Sequence, residues 1–401
     1  MSDEKFIECR ICGEKVPHIG KHLETAHPGT TVEGYSETYP GAPLMSPALE
    51  AMIANKVKER KQAEASAQKM VAQVLPFTPP GSVVMKPMHE VFELPLSDDL
   101  RKAPARGQSQ GDPIMIEVRD LAGMSETDKE MIPEIDPGFV FEAGSLKDAV
   151  MAIQLNYPLL IWGMHGTGKT SLVKQVLART NRPWVRVQHT ETTEESHIIG
   201  QMVVRNGGTE FELGPLALAM IHGWTYVADE YDFAHAAVIA VYQAVLEGEP
   251  LYIKEAPEHQ RMIKPHPAFR FVATGNTNGS GDDTGLYSGT KIGNAAAYSR
   301  FGVTIQANYP ARETEIGILR GRLGLSQDIA EKLVDFAEKS RKAYTDGELT
   351  LPISPRELIR AATLAMVKGG MFRRGIELAY SNRLSPTEAD AVSQTAQRIF
   401  G

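Results

Sequence analysis

Cysteine is almost absent from this sequence, which has two cysteines among 401 residues. Because Cys9 and Cys12 are its two cysteines, the chain can form at most one small metal or redox site that uses cysteine. The sequence does not open with a basic segment followed by an apolar one, so we expect no signal peptide. The longest uncharged run, residues 149–168, contains Asn156 and Pro158, which argues against a membrane span.

Basic residues are also in deficit. The chain has 42 lysines and arginines against 50 acidic residues, a net charge of -8. This balance argues against a protein built to coat nucleic acid, and it predicts a soluble, cytoplasmic protein with no membrane partner. The length is too great for one ordinary domain and predicts two or three.

A phosphate-binding loop is the clearest motif that the sequence does contain. Residues 163–170 fit G-x-x-x-x-G-K-[ST], between an apolar run at 159–162 and a helical pattern at 169–180. Glycines let backbone N–H groups converge on an anion, and the helix adds the positive end of its dipole. We expect Lys169 to reach the β- and γ-phosphates of a nucleotide and the Thr170 hydroxyl to bind Mg²⁺. The residues expected to contact the nucleotide are Gly163, His165, Gly166, Thr167, Gly168, Lys169, Thr170 and Ser171, with Asp229 from a later strand.

Polar side chains end two further predicted strands. The apolar run 224–228 is followed by Asp229 and Glu230, and the run 269–275 is followed by Asn276. In a nucleotide site Asp229 would hold Mg²⁺ through its water shell, and Glu230 would polarise the water that attacks the γ-phosphate. Asn276 could hold the same water from the other side. The structural alternatives are a helix N-cap for the two acids and a turn for Asn276.

These motifs resemble the AAA+ ATPases of the MoxR branch, and within it the CobS-like motor subunits of aerobic cobalt-inserting chelatases (cobaltochelatases). The resemblance covers residues 133–362. It includes segments that are more specific to this branch than the general ATP-binding motifs are. The residues that carry it are Gly166-Thr-Gly-Lys-Thr170, Asp229-Glu-Tyr-Asp232, His266-Pro-Ala-Phe-Arg270, Ala273-Thr-Gly-Asn-Thr277, Gly281-Asp-Asp-Thr-Gly-Leu-Tyr287, Ser288-Gly-Thr290 and Ser354-Pro-Arg356.

The resemblance implies an α/β P-loop core, with a parallel sheet flanked by helices, and a C-terminal helical lid. It implies ATP and Mg²⁺ as cofactors, Asn276 as the sensor for the hydrolytic water, and Arg356 as a second sensor on the lid. Arg300 corresponds to an arginine finger that enters a neighbouring subunit's site, which implies a homo-oligomeric ring, a hexamer. A surface salt bridge is the alternative for both arginines. The implied partners are a large chelatase-type protein and an adaptor with a von Willebrand-type domain.

The cysteine pair belongs to a second pattern near the N-terminus. Cys9-x2-Cys12-x9-His22-x4-His27 offers two thiolates and two imidazoles, which suits tetrahedral zinc. A redox pair or free thiols are the alternatives, and His18 is a substitute ligand. The stretch from Glu8 to Pro47 resembles the Ros/MucR type of zinc finger through Cys9-Arg-Ile-Cys12, His22-Leu-Glu-Thr-Ala-His27, Gly34-Tyr35 and Tyr39-Pro40.

That family binds DNA, but the charge of this module does not favour DNA binding. Residues 1–30 carry four lysines and arginines against five acidic residues, which leaves no basic face for phosphate contacts. Nucleic acid is therefore a weakly supported partner, and docking onto another protein is the alternative role. A module this small would need its metal to fold.

The sequence patterns divide the chain into five segments. They are a zinc finger at 1–45, a helix at 46–75, a linker with short ordered pieces at 76–134, an AAA+ α/β core at 135–310 and a helical lid at 311–401. A glycine-rich turn at 206–208 predicts a hairpin within the core. In the lid, Ser354 and Ser385 begin capping boxes that have proline at the first helical position.

The remaining polar residues are expected to be structural. Asp282 and Asp283 lie among glycines as solvated turn residues, and His189, Glu195 and His197 lack a metal-ligand spacing. The sequence therefore predicts an ATP-hydrolysing ring motor whose output is movement. Two hypotheses remain for what is moved: a large metal-inserting protein, or a nucleic acid or other protein complex recruited by the zinc finger.

Overall fold

The computed structural model describes residues 5–56, 58, 82–102, 110–205, 207–279, 281 and 295–401. The chain divides into two compact units, residues 1–74 and 75–401. Of the helix predicted at 46–75, residues 47–56 are helical, and most of the remainder lies outside the described residues. Asp282, Asp283 and the 284–290 part of the MoxR-like pattern also lie outside them.

The first unit begins with two short antiparallel strands, β1 (Ile7–Glu8) and β2 (Lys15–Val16). Two helices follow, Ile19–Ala26 and Val32–Thr38. The first helix is capped by His18, whose Nδ1 accepts a hydrogen bond from Lys21 N at 3.1 Å. The apolar core of this unit is small. Its buried members are Ile7, Cys9, Val16, Ile19, Leu23 and Tyr35.

A five-stranded parallel sheet forms the centre of the second unit. Its strands are β5 (Leu159–Trp162), β6 (Trp184–Gln188), β9 (Thr225–Asp229), β12 (Arg270–Gly275) and β13 (Val303–Gln306), in the spatial order β13-β5-β12-β9-β6. Every residue of β9 and β12 is buried, as expected for central strands covered on both faces. This order places the carboxyl ends of β5, β12 and β9 side by side, and ligands bind at such an edge.

Helices cover both faces of the sheet, and the sheet separates the apolar core into two clusters. Tyr226 and Phe271 belong to one cluster, and Ile161 and Val272, from neighbouring strands, belong to the other. The predicted α/β architecture is thus confirmed. The helices of this region are Ala143–Gln154, Lys169–Arg179, Glu195–Ile199, Pro215–His222, Ala236–Leu246 and Ala295–Tyr298.

Two hairpins extend from the core. The predicted one pairs β7 (Gly200–Arg205) with β8 (Gly208–Leu213), and Met202 on it lies opposite Phe211. The second pairs β10 (Leu251–Tyr252) with β11 (Met262–Ile263). Both are antiparallel and separate from the central sheet.

The range 76–134, expected to be a linker with short ordered pieces, contributes side chains to the core. Strands β3 (Val83–Pro87) and β4 (Met115–Arg119) form an antiparallel pair, helix Met88–Val91 follows β3, and helix Glu126–Glu130 contacts Trp224 through Asp128. The buried apolar residues are few and spread along the range, and the alternation of Ile116 and Val118 in β4 is too short to form a sustained period. Four of them belong to the same core cluster as Ile161 and are at 2% exposure or less: Met88, Phe92, Leu100 and Ile116.

Residues 311–401 are helical, as predicted. The helices are Arg312–Leu323, Gln327–Thr345, Pro355–Val367, Phe372–Ala379 and Pro386–Phe400. Both predicted capping boxes are present, Ser354 with Glu357 and Ser385 with Glu388. Within the described residues, no helix has the length and apolar character needed to span a membrane.

A buried ion pair joins the first two lid helices. Arg341 donates two hydrogen bonds of 2.7 Å to Glu315, whose side chain is 2% exposed, and a third of 3.0 Å to the Ile353 carbonyl. Its guanidinium also lies 4.3 Å from the centre of the Tyr309 ring. Arg341 therefore connects two helices, the turn before a third, and the segment that leads from the sheet into the lid.

We expect Arg341→Met to destabilise the lid, because Glu315 would then be a buried charge without a partner. The free energy of opening of the lid should fall by about 3 kcal/mol. Hydrogen exchange of the lid amides measures this change directly. The double variant Arg341→Met/Glu315→Leu should recover most of the loss, since it removes both charges. Unchanged exchange in the single variant would contradict the role of the pair.

Candidate functional site

The phosphate loop connects β5 to the helix that begins at Lys169. Two of its glycines have positive φ and close neighbours that exclude any side chain. A Cβ at Gly163 would lie 2.2 Å from the Ala307 carbonyl oxygen, and one at Gly166 would lie 2.4 Å from the Ser354 Cβ. The loop is therefore fixed between the end of β13 and the first turn of a lid helix.

Lys169 folds back over this loop. Its Nζ donates hydrogen bonds to the carbonyls of Gly163 at 2.6 Å and Met164 at 2.9 Å, and to Asn276 Oδ1 at 3.1 Å. Burial lowers the pKa of Lys169 to about 8, although the nearby charge of Asp232 raises it. The lysine remains mostly charged at neutral pH, and a bound phosphate would stabilise that charge further.

Asp229 ends β9 directly beside the loop. Its Oδ1 accepts a hydrogen bond of 2.8 Å from Thr170 Oγ1 and another from Thr274, and its Oδ2 accepts one of 2.7 Å from Arg186 Nε. Burial alone would raise the pKa of Asp229, but hydrogen bonds from Thr274, Thr170 and Arg186 outweigh it and lower the pKa. Asp229 is therefore an ionised carboxylate in direct contact with the Thr170 hydroxyl.

Glu230 follows in a left-handed backbone conformation, φ 53° and ψ 45°, which is uncommon for a residue with a side chain. Gln188 Nε2, at the end of the neighbouring strand β6, donates a hydrogen bond of 3.0 Å to Glu230 Oε2. The Glu230 carboxylate is only partly buried, so water can reach it. A partly exposed carboxylate beside the phosphate loop has the chemistry of a general base.

Asn276 is held by a buried carboxylate. Asp232, 2% exposed, accepts hydrogen bonds on Oδ2 from Asn276 N at 2.8 Å and from Thr277 N at 2.9 Å. Burial raises the pKa of Asp232. Asp232 therefore fixes the backbone of Asn276 at the point where the Asn276 amide meets Lys169.

The lid contributes the first turn of helix Pro355–Val367. Arg356 is exposed there. Burial is the main cause that lowers the pKa of Lys169 and of His165 in the phosphate loop, and the charge of Arg356 adds a minor contribution in the same direction. Arg356 therefore lies within electrostatic reach of any phosphate bound to the loop. Beside the loop is a cavity of about 210 Å³, and its lining includes Phe139, Val140, Thr167, Leu172, Asn308 and Tyr309.

Arg300 is not part of this cluster. Its Nε donates a hydrogen bond of 2.6 Å to Glu247 Oε1, and its guanidinium also donates to the Ala296 carbonyl. The structure thus brings together the phosphate loop, Asp229, Glu230, Asn276 and Arg356, and places Arg300 elsewhere on the same unit.

Four residues around the site were not predicted from the sequence as site residues. Three bind the acids directly: Arg186 and Thr274 contact Asp229, and Gln188 contacts Glu230. The fourth is Asp232, which was noted only as part of a motif. The parallel register of β6 and β9 pairs Gln188 with Asp229, so strand pairing was the signal that could have found Arg186 and Gln188.

The first unit contains a separate candidate metal centre. Ligand atoms of Cys9, Cys12, His22 and His27 lie within 4.8 Å of one another. Cys9 Sγ is 3.8 Å from His27 Nε2, and Cys12 Sγ is 3.3 Å from His22 Nε2. Glu14 lies 3.8 Å from the other ring nitrogen of His22. His18 is not among the four, because its Nδ1 caps a helix.

Comparison with known proteins agrees with the geometry. Residues 158–301 match the AAA domain of the dynein-related subfamily, and residues 315–399 match the CbbQ/NirQ/NorQ C-terminal domain. Both matches lie in the second unit. They correspond to the sheet with its phosphate loop and to the lid.

Three relatives show how far the similarity extends. The aerobic cobaltochelatase subunit CobS of a Sinorhizobium species is 33% identical over 279 residues, 67% of this chain and 83% of CobS. Protein NorQ of Paracoccus denitrificans is 27% identical over 67% of this chain and 93% of NorQ. Midasin of Dictyostelium discoideum is 31% identical over 46% of this chain, but over only 3% of midasin. The chain therefore belongs to the CbbQ/NorQ/CobS family of AAA+ ATPases of the MoxR branch, and it is an ATPase.

Proposed function

We propose that this chain is the motor subunit of a homo-oligomeric ring, a hexamer, that uses ATP hydrolysis to remodel a large partner protein that inserts a metal ion. The observation that carries the proposal is the 33% identity across 83% of CobS, which is a subunit of an aerobic cobaltochelatase. A fold and an ATP site do not by themselves define what a motor acts on, so the partner is the part that needs a test.

Each residue of the site has a role in the proposed hydrolysis. Lys169 and the loop amides bind the β- and γ-phosphates, with His165, Thr167 and Ser171 beside them. Thr170 and Asp229 hold Mg²⁺, and the 2.8 Å between their oxygens supports this assignment. Mg²⁺ supplies charge neutralisation for the phosphates.

The attack by water depends on two groups from neighbouring strands. Glu230 takes the proton from the attacking water, and Asn276 orients the same water. The partly buried carboxylate of Glu230 and the contact of Asn276 with Lys169 support this division of roles.

Arg356 and Arg300 complete the proposed machinery from two directions. Arg356 reaches the phosphates from the lid of the same subunit. Arg300 enters the site of the next subunit, where its charge neutralises the γ-phosphate during transfer. The hydrogen bond from Arg300 to Glu247, a residue outside the cluster, supports action in trans. Hydrolysis would then require assembly of the ring.

The N-terminal unit is proposed to be a zinc finger that docks the motor on another protein. Two thiolates and two imidazoles that converge within 4.8 Å suit Zn²⁺, and Glu14 beside His22 can orient that ligand. The unit lies outside both family matches. The finger at 1–45, helix at 46–75, linker at 76–134, core at 135–310 and lid at 311–401 remain the proposed domains. A von Willebrand-type adaptor is the proposed second partner.

The experiment that tests the function is partner capture with Glu230→Gln. This variant should bind ATP and Mg²⁺ as tightly as the original protein, while its kcat falls by about 10²- to 10⁴-fold. It should therefore retain a large metal-inserting protein and its adaptor on an affinity column when ATP is present. The matched control is Lys169→Ala, which should fail to bind ATP and so retain neither. Full ATPase activity in either variant would contradict the proposed site.

The alternative is a finger-targeted motor that acts on nucleic acid or on an unrelated protein complex, and the same capture would reveal it. Recovery of nucleic acid, with a yield that falls steeply as salt is added, would move the function to that class. Recovery of unrelated proteins would still support an ATP-driven motor but would contradict the chelatase role.

Action of Arg300 in trans predicts complementation between two inactive proteins. Arg300→Ala and Lys169→Ala should each be inactive alone. A one-to-one mixture should recover up to about a quarter of the original activity, because that share of interfaces joins an intact phosphate loop to an intact finger. ATPase assays of mixed and reassembled rings measure this recovery. If Arg300 acted within its own subunit, no mixture would be active.

Cys12→Ser should release zinc from the N-terminal unit without stopping hydrolysis. The metal content, measured by mass spectrometry, should fall from about one ion per chain to near zero, because three ligands hold zinc poorly. Hydrogen exchange should rise in residues 5–30, and basal ATPase activity should stay within about twofold, since the nucleotide site lies in the other unit. Lys21→Ser, which removes no ligand, is the control. Unchanged zinc content would contradict the metal centre.

A further inference from the structure

His189 is a fully buried histidine directly after β6, and the ATP site as proposed above does not use it. Its backbone N lies 2.8 Å and its ring Nδ1 lies 2.9 Å from one atom, the carbonyl oxygen of Asp229. A carbonyl oxygen only accepts hydrogen bonds, so Nδ1 must carry the hydrogen. The backbone and the side chain of His189 thus donate to the same carbonyl.

The other side of the ring completes a directed chain of hydrogen bonds. Nε2 lies 2.7 Å from the Tyr242 hydroxyl, which in turn lies 2.8 Å from the Tyr226 hydroxyl. With the hydrogen on Nδ1, a neutral ring accepts at Nε2, so Tyr242 donates to His189 and accepts from Tyr226. Burial lowers the pKa of His189, and the hydrogen bond to Asp229 offsets this only in part. The ring is therefore neutral and in one tautomer.

The carbonyl that His189 holds belongs to the peptide bond between Asp229 and Glu230. Glu230 occupies the left-handed region at φ 53°, a conformation that costs free energy for a residue with a side chain. Such a conformation persists only where its surroundings fix it. Two donors on the Asp229 carbonyl fix the plane of this peptide, and Gln188 holds the Glu230 carboxylate beyond it.

We infer that His189 is a positioning residue for Glu230: its Nδ1–H fixes the Asp229–Glu230 peptide and thereby aims the Glu230 carboxylate at the attacking water. The inference rests on the proposed role of Glu230. The inference assigns the positioning of Glu230 to one ring nitrogen, Nδ1. Two amide substitutions of His189 can therefore distinguish positioning from a purely structural role.

His189→Asn and His189→Gln form the matched pair. The asparagine amide nitrogen is bonded to Cγ, as Nδ1 is, so it can donate to the Asp229 carbonyl. The glutamine amide nitrogen lies one bond further out, in the place of Nε2, and faces Tyr242. We expect kcat within about threefold of the original for His189→Asn and a loss of about ten- to a hundredfold for His189→Gln. The Kd for ATP should be unchanged in both.

A structural role predicts the opposite order. Glutamine fills the buried volume better than asparagine and can keep the contact with Tyr242, so packing alone would make His189→Gln the more active variant. A kcat for His189→Gln equal to or above that of His189→Asn would overturn the inference. Melting temperatures of the two proteins would show whether a loss of kcat merely follows a loss of folded protein.

Tyr242→Phe provides an independent check. This substitution removes the donor to Nε2 and leaves the contact between Nδ1 and Asp229, so kcat should stay within about threefold of the original. A loss as large as that of His189→Gln would overturn the assignment to Nδ1. Failure of the proposed role of Glu230 can be distinguished from failure of the inference about His189. In the first case Glu230→Gln would hydrolyse ATP at the normal rate, whatever the His189 variants do.

Discussion

A half-buried lysine among three carboxylates is the interaction on which the ATP site depends. Lys169 is held by two loop carbonyls and by Asn276, and the charges of Asp232, Asp229 and Glu230 offset part of its burial. Because the lysine has no single ion-pair partner at hydrogen-bond distance among the described residues, its charge remains available to an anion. A bound triphosphate would supply an ion-pair partner for Lys169 at the edge of the sheet.

The strand order explains both what the sequence could predict and what it could not. The phosphate loop, the acids after β9 and Asn276 after β12 follow apolar runs, so local patterns were enough to find them. Arg186, Gln188 and His189 bind acids that lie 40 or more residues later in the chain. Their partners are set by the pairing of β6 with β9, which a single sequence does not specify. His189 in particular looked structural because it lacks a metal-ligand spacing, although a positioning role needs none.

The same contrast holds outside the site. Ser354 and Ser385 were predicted as capping residues because a capping box is complete within four residues. Met88 and Ile116 pack in one cluster although 28 positions separate them, and no sequence pattern connects their two segments. The Cys9 and His27 pattern predicted a cluster from two short stretches, because cysteine and histidine are few and chemically distinct, and the structure brings the four side chains together. Sequence reasoning was therefore most reliable for local chemistry and least reliable for packing between distant segments.

The close approach of loop and lid provides a physical route from hydrolysis to movement. Gly166 leaves no room for a side chain beneath Ser354, so the lid helix rests directly on the phosphate loop. Glu357, in the same turn, is buried and paired with Arg383, which ties the start of this helix to the rest of the lid. A γ-phosphate on the loop would attract Arg356, and its loss would remove that attraction. The lid would then have a different preferred position in the two nucleotide states, and in the proposed function this shift of the lid is the movement that acts on a partner.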